Sequence, residues 1–384
     1  MSRFFISCPI GFENSLVEEL KSFWFEMIDL DGLPTRSSFP ELDLIKGGLE
    51  LECEDHLGYQ INLFSKIAGR VLLRVASFES RYFDQFEKQL SKVPLNTFLE
   101  TGMPVTLQVE SHKSRLNNEK SILESASGVL QKMGFNVVDK AKVNIYLRFE
   151  KDRATISLDT TGEHLHRRGY AVYRGEAPLR ETLAAYLIRR LSALVNLDQD
   201  LTIVDPFVGS GTILFEALSC YLPNLHREYS WQIFKKTPKL FKSDSWTKNF
   251  RWIRNSGQPL AVGYDIDEKA ILNLSRNKDE FCKVFGVTDV PIKAEVKDSQ
   301  DVQLQRSELT KNVWLVCNPP YGIRLDDQNV REIIQSFEQD VDGMVILHPP
   351  IWNFNFSHLK LVSSDDFKNQ GLSLKLSIYS KKIN

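Results

Sequence analysis

The first 160 residues alternate between stretches with the periodicity of a strand and stretches with the periodicity of a helix. Apolar and polar residues alternate in segments 48–53 and 104–109, which predicts half-buried strands. Apolar residues recur three and four positions apart in segments 13–25 and 120–133, which predicts helices, and Gly134 can cap the second one. This succession is typical of small α+β sandwiches rather than of one doubly wound sheet.

The last 220 residues contain four shorter runs with strand character. Helical patterns follow the first two of them, over segments 213–222 and 268–285. Consecutive strand–helix units predict a parallel sheet with right-handed crossovers, and such sheets bind their ligands at the carboxyl ends of the strands. The residues that end or follow these runs all carry polar side chains: Asp205, Asp265, Asp298 and Asn318.

The composition is that of a soluble globular protein without an overall charge preference. Of the 384 residues, 42% are apolar and 26% are charged, and 48 basic against 50 acidic residues give a net charge of -2. We therefore expect two or three domains, and any surface for a polyanion such as nucleic acid must be local. The five cysteines are scattered without paired spacing, which argues against a zinc site or a disulfide framework.

The sequence contains no signal for export or membrane insertion. Residues 1–8 have strand character and lack the apolar core of a signal peptide. No segment approaches the ~18 consecutive apolar residues that a membrane span needs. We therefore expect a cytoplasmic protein without a membrane partner.

The first two strand ends carry groups that suit a nucleotide-like ligand. Gly209 and Gly211 form a Gly-x-Gly turn before a predicted helix, where the backbone can approach a ligand closely and free N–H groups attract a carboxylate or phosphate. Asp265 can accept hydrogen bonds from both hydroxyls of a ribose. A nicotinamide dehydrogenase is disfavoured because its third glycine is absent and Asp265 lies 60 positions after Asp205, where that class places an acid ~20 residues on.

The last of these strand ends, Asn318-Pro319-Pro320-Tyr321, combines a rigid turn with two groups that recognise planar ligands. Neither proline can donate to a sheet, and the residue before them is held extended. The side-chain carbonyl of Asn318 and the flat face of Tyr321 could clamp a planar amide or an aromatic ring with an exocyclic amine. For these four residues alone, a Pro-Pro turn with a surface tyrosine is the simpler alternative.

Three further segments invite a nucleic-acid interpretation, although each has a simpler explanation. Segment 110–115, with Lys113 and Arg115, is predicted as a solvated loop. Segment 161–170 contains two histidines and two arginines but no further ligand at metal spacing, so we predict a basic connector and no metal site. Segment 226–259 holds seven aromatic and eight basic residues, and we predict that its rings form the core of an inserted helical lobe, with base stacking as the alternative. The lysines predicted on its surface are Lys235, Lys236 and Lys239.

Several motifs together resemble the class I S-adenosylmethionine-dependent amino-methyltransferases. The three that carry this resemblance are DPFVGSGT at 205–212, GYDID at 263–267 and NPPYG at 318–322. Two further stretches, 158–170 and 177–185, resemble the THUMP-domain RNA guanine-N2 methyltransferases, closest to the bacterial large-subunit rRNA enzymes. The resemblance covers nearly the whole chain.

This resemblance implies an α/β protein whose C-terminal, Rossmann-like class I methyltransferase sheet follows two α+β domains. The implied domains are a ferredoxin-like domain at 1–68, a THUMP RNA-binding domain at 69–160 and a catalytic domain at 161–384. The family usually has Glu-Arg after the glycine that follows the tyrosine, where this chain has Ile323-Arg324. That departure concerns contacts to the substrate and not to the cofactor.

The resemblance also implies S-adenosylmethionine as the cofactor and assigns its site. Asp205 and the two glycines would shape the methionine end, Asp265 would hold the ribose and Asp298 would lie near the adenine amine. Asn318 and a proline carbonyl would hold the two hydrogens of guanine N2 and turn its lone pair toward the methyl group, while Tyr321 stacks on the base. The implied catalytic residues are Asn318, Pro319 and Tyr321, and the implied cofactor-binding residues are Pro178, Leu179, Asp205, Phe207, Gly209, Gly211, Thr212, Asp265, Asp298 and Asn318.

The predicted function is methylation of the exocyclic N2 amine of a guanine, with 23S rRNA as the expected partner and no metal. Guanine-N2 methylation of tRNA, adenine-N6 methylation and protein glutamine methylation are the enzymatic alternatives, because the last two use the same Asn-Pro-Pro-Tyr motif. An RNA-binding protein without catalysis is the non-enzymatic alternative. The THUMP-like N-terminal region weighs against DNA or glutamine as the substrate, and intact Gly209, Gly211, Asp265 and Asn318 weigh against loss of catalysis.

Overall fold

The computed structural model describes residues 1–175, 178–243, 246–248, 250, 258–321, 327–369 and 371–381. The chain forms two compact units, and each of them is discontinuous in sequence. The first unit comprises Met1–Leu165 together with Glu228–Arg251, and the second comprises His166–Arg227 together with Trp252–Asn384.

The first unit is built on a single eight-stranded mixed sheet with four helices. Its strands are β1 (Ser2–Ser7), β2 (Leu42–Ile45), β3 (Gly48–Cys53), β4 (Arg70–Glu79), β5 (Pro104–His112), β6 (Asn136–Val137), β7 (Val143–Glu150) and β8 (Arg153–Asp159). Its helices are α1 (Glu13–Phe23), α2 (Asp55–Phe64), α3 (Phe83–Leu90) and α4 (Glu119–Lys132). The strand order is β2-β3-β1-β4-β8-β7-β5-β6.

The ten-residue strand β4 joins two parts of the chain that the sequence pattern predicted to form separate α+β sandwiches. It pairs antiparallel with β1 on one side and with β8 on the other, so strands from both sides of the predicted 68/69 boundary share one sheet. Local periodicity shows where strands lie but not which strands pair, and this explains the difference. The division of this region into a ferredoxin-like domain at 1–68 and a THUMP domain at 69–160 remains a proposal.

The aromatic segment 228–251 contributes to the core of the first unit, although it lies within the range predicted as the catalytic domain. Trp231 stacks on Tyr59 of α2 with ring centroids 5.6 Å apart and planes 4° from parallel. Phe250 packs edge-on against Phe64 of the same helix at 5.8 Å. A separate inserted lobe was predicted, whereas the segment belongs to the first unit; the predicted burial is confirmed for its described rings, which are Tyr229, Trp231, Phe234, Phe241, Trp246 and Phe250.

The lysines of this segment are exposed, as predicted. Lys235 pairs with Glu100 at 3.3 Å, and the Lys236 ammonium lies over the Phe98 ring at 4.5 Å. The seventh aromatic residue, Trp252, lies outside the described residues. Because the six described rings pack inward, they stabilise the fold of the first unit instead of presenting a surface for stacked bases.

The second unit is built on a seven-stranded sheet. Its strands are β9 (Leu201–Asp205), β10 (Leu260–Asp265), β11 (Ile292–Val296), β12 (Asn312–Cys317), β13 (Gly343–His348), β14 (Lys360–Asn369) and β15 (Leu372–Ser380), in the order β11-β10-β9-β12-β13-β15-β14. Its helices are α5 (Glu181–Ser192), α6 (Thr212–Ser219), α7 (Glu268–Phe285) and α8 (Asp327–Ser336). The predicted parallel sheet is confirmed for β9 to β13, and the antiparallel hairpin β14–β15 adds an edge that was not predicted.

The central strands of this sheet are apolar because both of their faces are covered. All five residues of β9 are buried, as are the five that end β12. On one face of the sheet, Val204 of β9 and Leu315 of β12 belong to a core cluster that also contains Met344 of β13, Ile334 of α8 and the loop residue Trp352. Burial of this cluster fixes the strand ends that carry the polar residues described below.

We predict that Trp231→Ala destabilises the first unit, even though Trp231 lies in sequence between two segments of the second unit. Trp231 is fully buried, and truncation of such a ring removes about 3–5 kcal/mol of folding free energy. Hydrogen exchange should speed up in β1 and α2. Trp352→Ala, a buried tryptophan of the second unit, is the control and should leave exchange in β1 and α2 unchanged. Unchanged exchange there in Trp231→Ala would contradict this assignment.

Candidate cofactor and substrate site

The register of three parallel strands brings the predicted polar residues to one edge of the sheet. Within the ladder, Asp205 lies opposite Gly263 of β10, and Val204 lies opposite Leu315 of β12. If the same register is continued past the strand ends to the second residue after Asp205, it brings Phe207, Asp265 and Asn318 to one level. β11 extends this edge, because the Lys297 N–H donates to the Asp265 carbonyl at 2.9 Å and Asp298 follows directly.

The turn between β9 and α6 requires glycine at two positions. Gly209 and Gly211 have φ angles of 54° and 91°, which lie in the region that other residues rarely adopt. A Cβ atom on Gly211 would lie only 2.8 Å from Phe215 and 2.9 Å from Leu274 of α7. The turn therefore lies tightly against two helices, and α6 begins directly after it at Thr212.

Asp265 holds this turn in place, a role that the sequence did not predict. One carboxylate oxygen accepts the Gly209 N–H at 2.9 Å, and the other accepts the Asp267 N–H at 2.9 Å. A carboxylate can accept about four hydrogen bonds, so two acceptor positions remain. Asp265 can therefore tie the turn to β10 and still bind the two hydroxyls of a diol.

Asp205 is almost fully buried at the end of β9. Its carboxylate accepts the Phe207 N–H at 3.0 Å. The pKa of this carboxyl is raised to about 8, mainly by burial and to a smaller extent by the nearby Asp265 charge, while the hydrogen bond from the Phe207 N–H opposes the shift. Asp205 therefore keeps its proton at neutral pH until a cation is placed beside it.

Asp298 lies partly exposed beyond β11. Its side chain accepts the Gln300 N–H at 3.0 Å, and the neighbouring Ser299 hydroxyl donates to the Pro206 carbonyl. The segment after β11 is thereby joined to the segment after β9. Asp298 keeps acceptor positions for a further donor.

The Asn318 side chain provides an acceptor without a partner. Its Oδ1 atom is buried and has no hydrogen-bond partner among the described residues. Buried polar atoms are rarely left unpaired, and an exception of this kind is frequent at a ligand site. Tyr321 is half-buried against the core cluster at the same edge, and burial raises the pKa of its phenol. Gly322, which completes the predicted motif, and Ile323 and Arg324, where the chain departs from the family pattern, lie outside the described residues.

The remaining predicted residues differ in their exposure. Phe207 is partly exposed, whereas Thr212 and Pro319 are buried. In the segment that leads into α5, Pro178 is exposed and Leu179 partly exposed, and Ala177 before them lies outside the described residues.

The predicted basic connector is in part a buried structural element. Arg168 is buried and forms an ion pair with Glu216 of α6, with 3.4 Å between Nε and Oε1. The Tyr170 hydroxyl donates to the same carboxylate at 2.7 Å. Sequence alone did not reveal this pair, because the partner lies 48 positions away. Only part of the predicted positive charge is therefore available to a polyanion.

Two features of this edge were missed in the sequence. Asn277 of α7 is buried and bonded to the backbone of the glycine turn, and an asparagine on the apolar face of a predicted helix was the available signal. β13 also ends in a Pro-Pro turn, at Pro349 and Pro350, where the Trp352 N–H donates to the Pro349 carbonyl at 3.0 Å. This turn lies beside the Asn318 turn, since β12 and β13 are paired in parallel.

Within the described part of the chain, no group of three or more histidine, cysteine or acidic residues is arranged to hold a metal ion. None of the described helices combines the length and apolar character of a membrane span.

Comparison with known proteins assigns the chain to a family. The model of the RMKL-like methyltransferase domain matches residues 168–343. "Putative RNA methyltransferase YpsC" of Bacillus subtilis is 30% identical over 310 residues, which cover 72% of this chain and 73% of that protein. The chain therefore belongs to the RMKL-like methyltransferase family, which confirms the predicted family.

A longer relative and a solved structure complete the comparison. "Ribosomal RNA large subunit methyltransferase K/L" of Syntrophotalea carbinolica is 28% identical over 340 residues, covering 85% of this chain but 45% of that protein. This chain thus spans about half the length of that relative. The structure titled as a possible methylase from Clostridium difficile superposes with a TM-score of 0.77 at 23% identity, covering 100% of this chain and 99% of the other. The predicted Rossmann-like methyltransferase fold is confirmed.

We predict that Asp205→Asn stabilises the free protein, most strongly at alkaline pH. In the unfolded chain this carboxyl loses its proton near pH 4, whereas in the fold it holds the proton to about pH 8. Its contribution to stability therefore falls as pH rises from 4 to 8, by a few kcal/mol at most, and a neutral amide avoids this loss.

Thermal unfolding midpoints at pH 5 and pH 8.5 test this prediction. The midpoint of Asp205→Asn should exceed that of the wild type by more at pH 8.5 than at pH 5. An equal difference at both pH values would show that the carboxyl is not destabilised by burial.

Proposed function

We propose that this protein is an S-adenosylmethionine-dependent RNA methyltransferase that methylates the exocyclic N2 amine of a guanine. We further propose that this guanine belongs to 23S rRNA. The buried Asn318 oxygen carries the proposal, because it has no hydrogen-bond partner among the residues that the structure describes and a donor of the substrate would satisfy it. Family membership supports the reaction class, and the rRNA methyltransferase named among its relatives supports the choice of RNA.

The residues at the sheet edge fit this cofactor. S-adenosylmethionine supplies a methyl group on a positively charged sulfur, and it carries an ammonium, a carboxylate, a ribose diol and an adenine. The buried Asp205 carboxyl suits the ammonium, because a neighbouring cation lowers its raised pKa and favours the ionised form. Asp265 retains acceptor positions for the diol, and Asp298 retains them for an adenine amine. At Gly209 the space beside the turn is open, because a Cβ atom there would meet no other atom within 4 Å, so a ligand can approach the backbone at this residue.

Asn318 and Tyr321 would compensate for the weak nucleophilicity of the guanine amine by orienting it. The lone pair of N2 is delocalised into the ring, so the amine reacts only if its hydrogens are held and the lone pair is freed. Asn318 Oδ1 and the Pro319 carbonyl would accept these two hydrogens, and Tyr321 would stack on the base after it leaves its helix. Neither acceptor is a strong base, so the proton released on methylation passes to solvent.

Mass spectrometry of RNA nucleosides tests the proposal. A strain that lacks the protein should lose N2-methylguanosine from 23S rRNA, and the wild-type gene should restore it while Asn318→Ala should not. Loss from tRNA alone, loss of N6-methyladenine, or loss of methylglutamine from a protein would each favour one of the alternatives. Unchanged methylation in every fraction would overturn the proposed activity.

We predict that Asn318→Ala leaves cofactor affinity nearly intact but lowers turnover by about 10²-fold or more, because the amine is no longer oriented. Tyr321→Phe should have a mild effect and Tyr321→Ala a severe one, since stacking on a base contributes ~1–3 kcal/mol and needs only the ring. Single-turnover rates on an RNA substrate, with cofactor binding measured separately, distinguish these outcomes. Equal and severe loss in both tyrosine variants would indicate a chemical role for the phenol.

The segment 69–160 is inferred to be the RNA-binding domain. Lys113 and Arg115 are exposed after β5, and the Arg115 guanidinium is held by a hydrogen bond to the Tyr82 hydroxyl at 2.8 Å. Tyr82 is itself half-exposed, so a cation and an aromatic ring lie side by side on this surface. Such a pair can contact a phosphate and an unpaired base.

We predict that Lys113→Ala combined with Arg115→Ala weakens RNA binding and lowers the slope of log affinity against log salt by about 1–2, because two phosphate contacts are lost. Lys132→Ala combined with Lys140→Ala removes the same charge from exposed positions of the same unit and serves as the control. Filter binding from 50 to 200 mM salt measures both. An equal change in the two double variants would exclude a specific contact at Lys113 and Arg115.

A further inference from the structure

The side chain of Asn277 joins two segments of the catalytic unit that are far apart in sequence. Its Oδ1 atom accepts the Tyr173 N–H at 2.9 Å, and its Nδ2 group donates to the Tyr173 carbonyl at 2.9 Å and to the Ser210 carbonyl at 3.2 Å. Three of the four hydrogen bonds that an amide can form are thus made to backbone. Asn277 is 1% exposed, so water cannot replace these bonds if the side chain is removed.

Ser210 is the middle residue of the glycine turn, and its carbonyl belongs to the peptide group that also contains the Gly211 N–H. That N–H donates to the Val208 carbonyl at 2.9 Å. The peptide group is therefore fixed at both ends, by Asn277 on one side and by the turn itself on the other. Asp265 fixes the preceding part of the turn through the Gly209 N–H.

The segment around Tyr173, which Asn277 also holds, leads to Pro178 and Leu179, two residues predicted to bind the cofactor. Tyr173 lies five residues before Pro178, and the Arg276 guanidinium lies over its ring at 5.3 Å. The next residue, Arg174, donates to the carboxylate of Glu181 at 3.0 Å, and Glu181 is the first residue of α5. The chain is thus anchored on either side of Pro178 and Leu179.

We propose that Asn277 is a positioning residue for the cofactor: its one amide holds the glycine turn and the segment before Pro178 in a single arrangement. α7 contacts the turn a second time through Leu274, one helical turn earlier on the same face. Because Asn277 is almost fully buried, it acts through Ser210 and Tyr173, to which it is hydrogen-bonded. This inference rests on the proposed function, because it takes S-adenosylmethionine as the ligand.

Cofactor affinity measured by calorimetry with S-adenosylhomocysteine tests the role directly. Asn277→Ala should raise the dissociation constant about 10- to 100-fold, as expected when several buried backbone groups lose their partner. Asn277→Asp keeps the acceptor for Tyr173 but loses both donors, and its affinity should fall as far. Asn273→Ala, which truncates another buried asparagine of α7, is the matched control and should change the constant less than twofold.

Turnover and RNA binding separate positioning from general damage. With Asn277→Ala, KM for the cofactor should rise while kcat at saturating cofactor and the affinity for RNA stay within about threefold of the wild type. Equal weakening of the cofactor in the Asn277 and Asn273 variants would overturn the positioning role. A wild-type protein that does not bind S-adenosylhomocysteine would instead overturn the proposed function, and this inference with it.

Hydrogen exchange in the wild-type protein provides a measurement that does not require a stable variant. If one amide couples the two segments, S-adenosylhomocysteine should slow exchange of the Tyr173 N–H together with that of the Gly211 N–H. Slower exchange at Gly211 with no change at Tyr173 would show that the two segments are independent, and would contradict the proposal.

Discussion

The pairing of β9 with two parallel neighbours is the constraint on which the whole candidate site depends. β9 is buried along its full length, so it cannot slide against β10 or β12 without exposing apolar residues. The turn that follows is fixed to the same sheet, because the Val208 N–H donates to the Tyr264 carbonyl at 2.9 Å. At the strand itself, a Cβ atom on Gly263 would lie 2.6 Å from Val208. The glycine turn is therefore an extension of the sheet, and its geometry follows from the strand register.

The rigid strands enclose an ionisable group, the Asp205 carboxyl, that does not stabilise the unliganded protein. The Asp205 carboxyl is enclosed by the strands that position it, and its raised pKa records the free energy that ionisation would require. If Asp205 receives the ammonium of the cofactor as proposed, the site is destabilising by itself and binding removes the penalty. Conflict between stability and function is a physical sign of a binding site, independent of sequence similarity.

Sequence reasoning succeeded where the structure follows from local pattern and failed where it follows from long-range pairing. The run Val313 to Cys317 is apolar because it is a central strand, and its end at two prolines is visible in the sequence. β14 was missed because it is an edge strand with polar residues such as Ser363 and Asp366, so it lacks an apolar signature. The partner of Arg168 could not be predicted either, since nothing local points to Glu216.

The candidate site shows the same division. Asp205, Asp265 and Asn318 could be found because each ends a recognisable strand, and parallel strands must end at a common edge. That Asp265 also holds the Gly209 N–H, and that Asn277 holds the Ser210 carbonyl, depends on side-chain geometry within about 3 Å. Residues that bind a ligand leave a pattern in sequence more readily than residues that position them.

The position of segment 228–251 changes how the two units can be studied. The chain passes from one unit to the other after residues 165, 227 and 251, so no single cut separates them. Removal of residues 1–165 would expose the described rings of that segment, including Trp231 and Phe250, which now pack against Tyr59 and Phe64. A shortened catalytic unit would then carry an exposed aromatic surface, and a loss of RNA binding in it could reflect misfolding. Substitutions within the whole chain are therefore the valid way to test the proposed RNA recognition separately from catalysis.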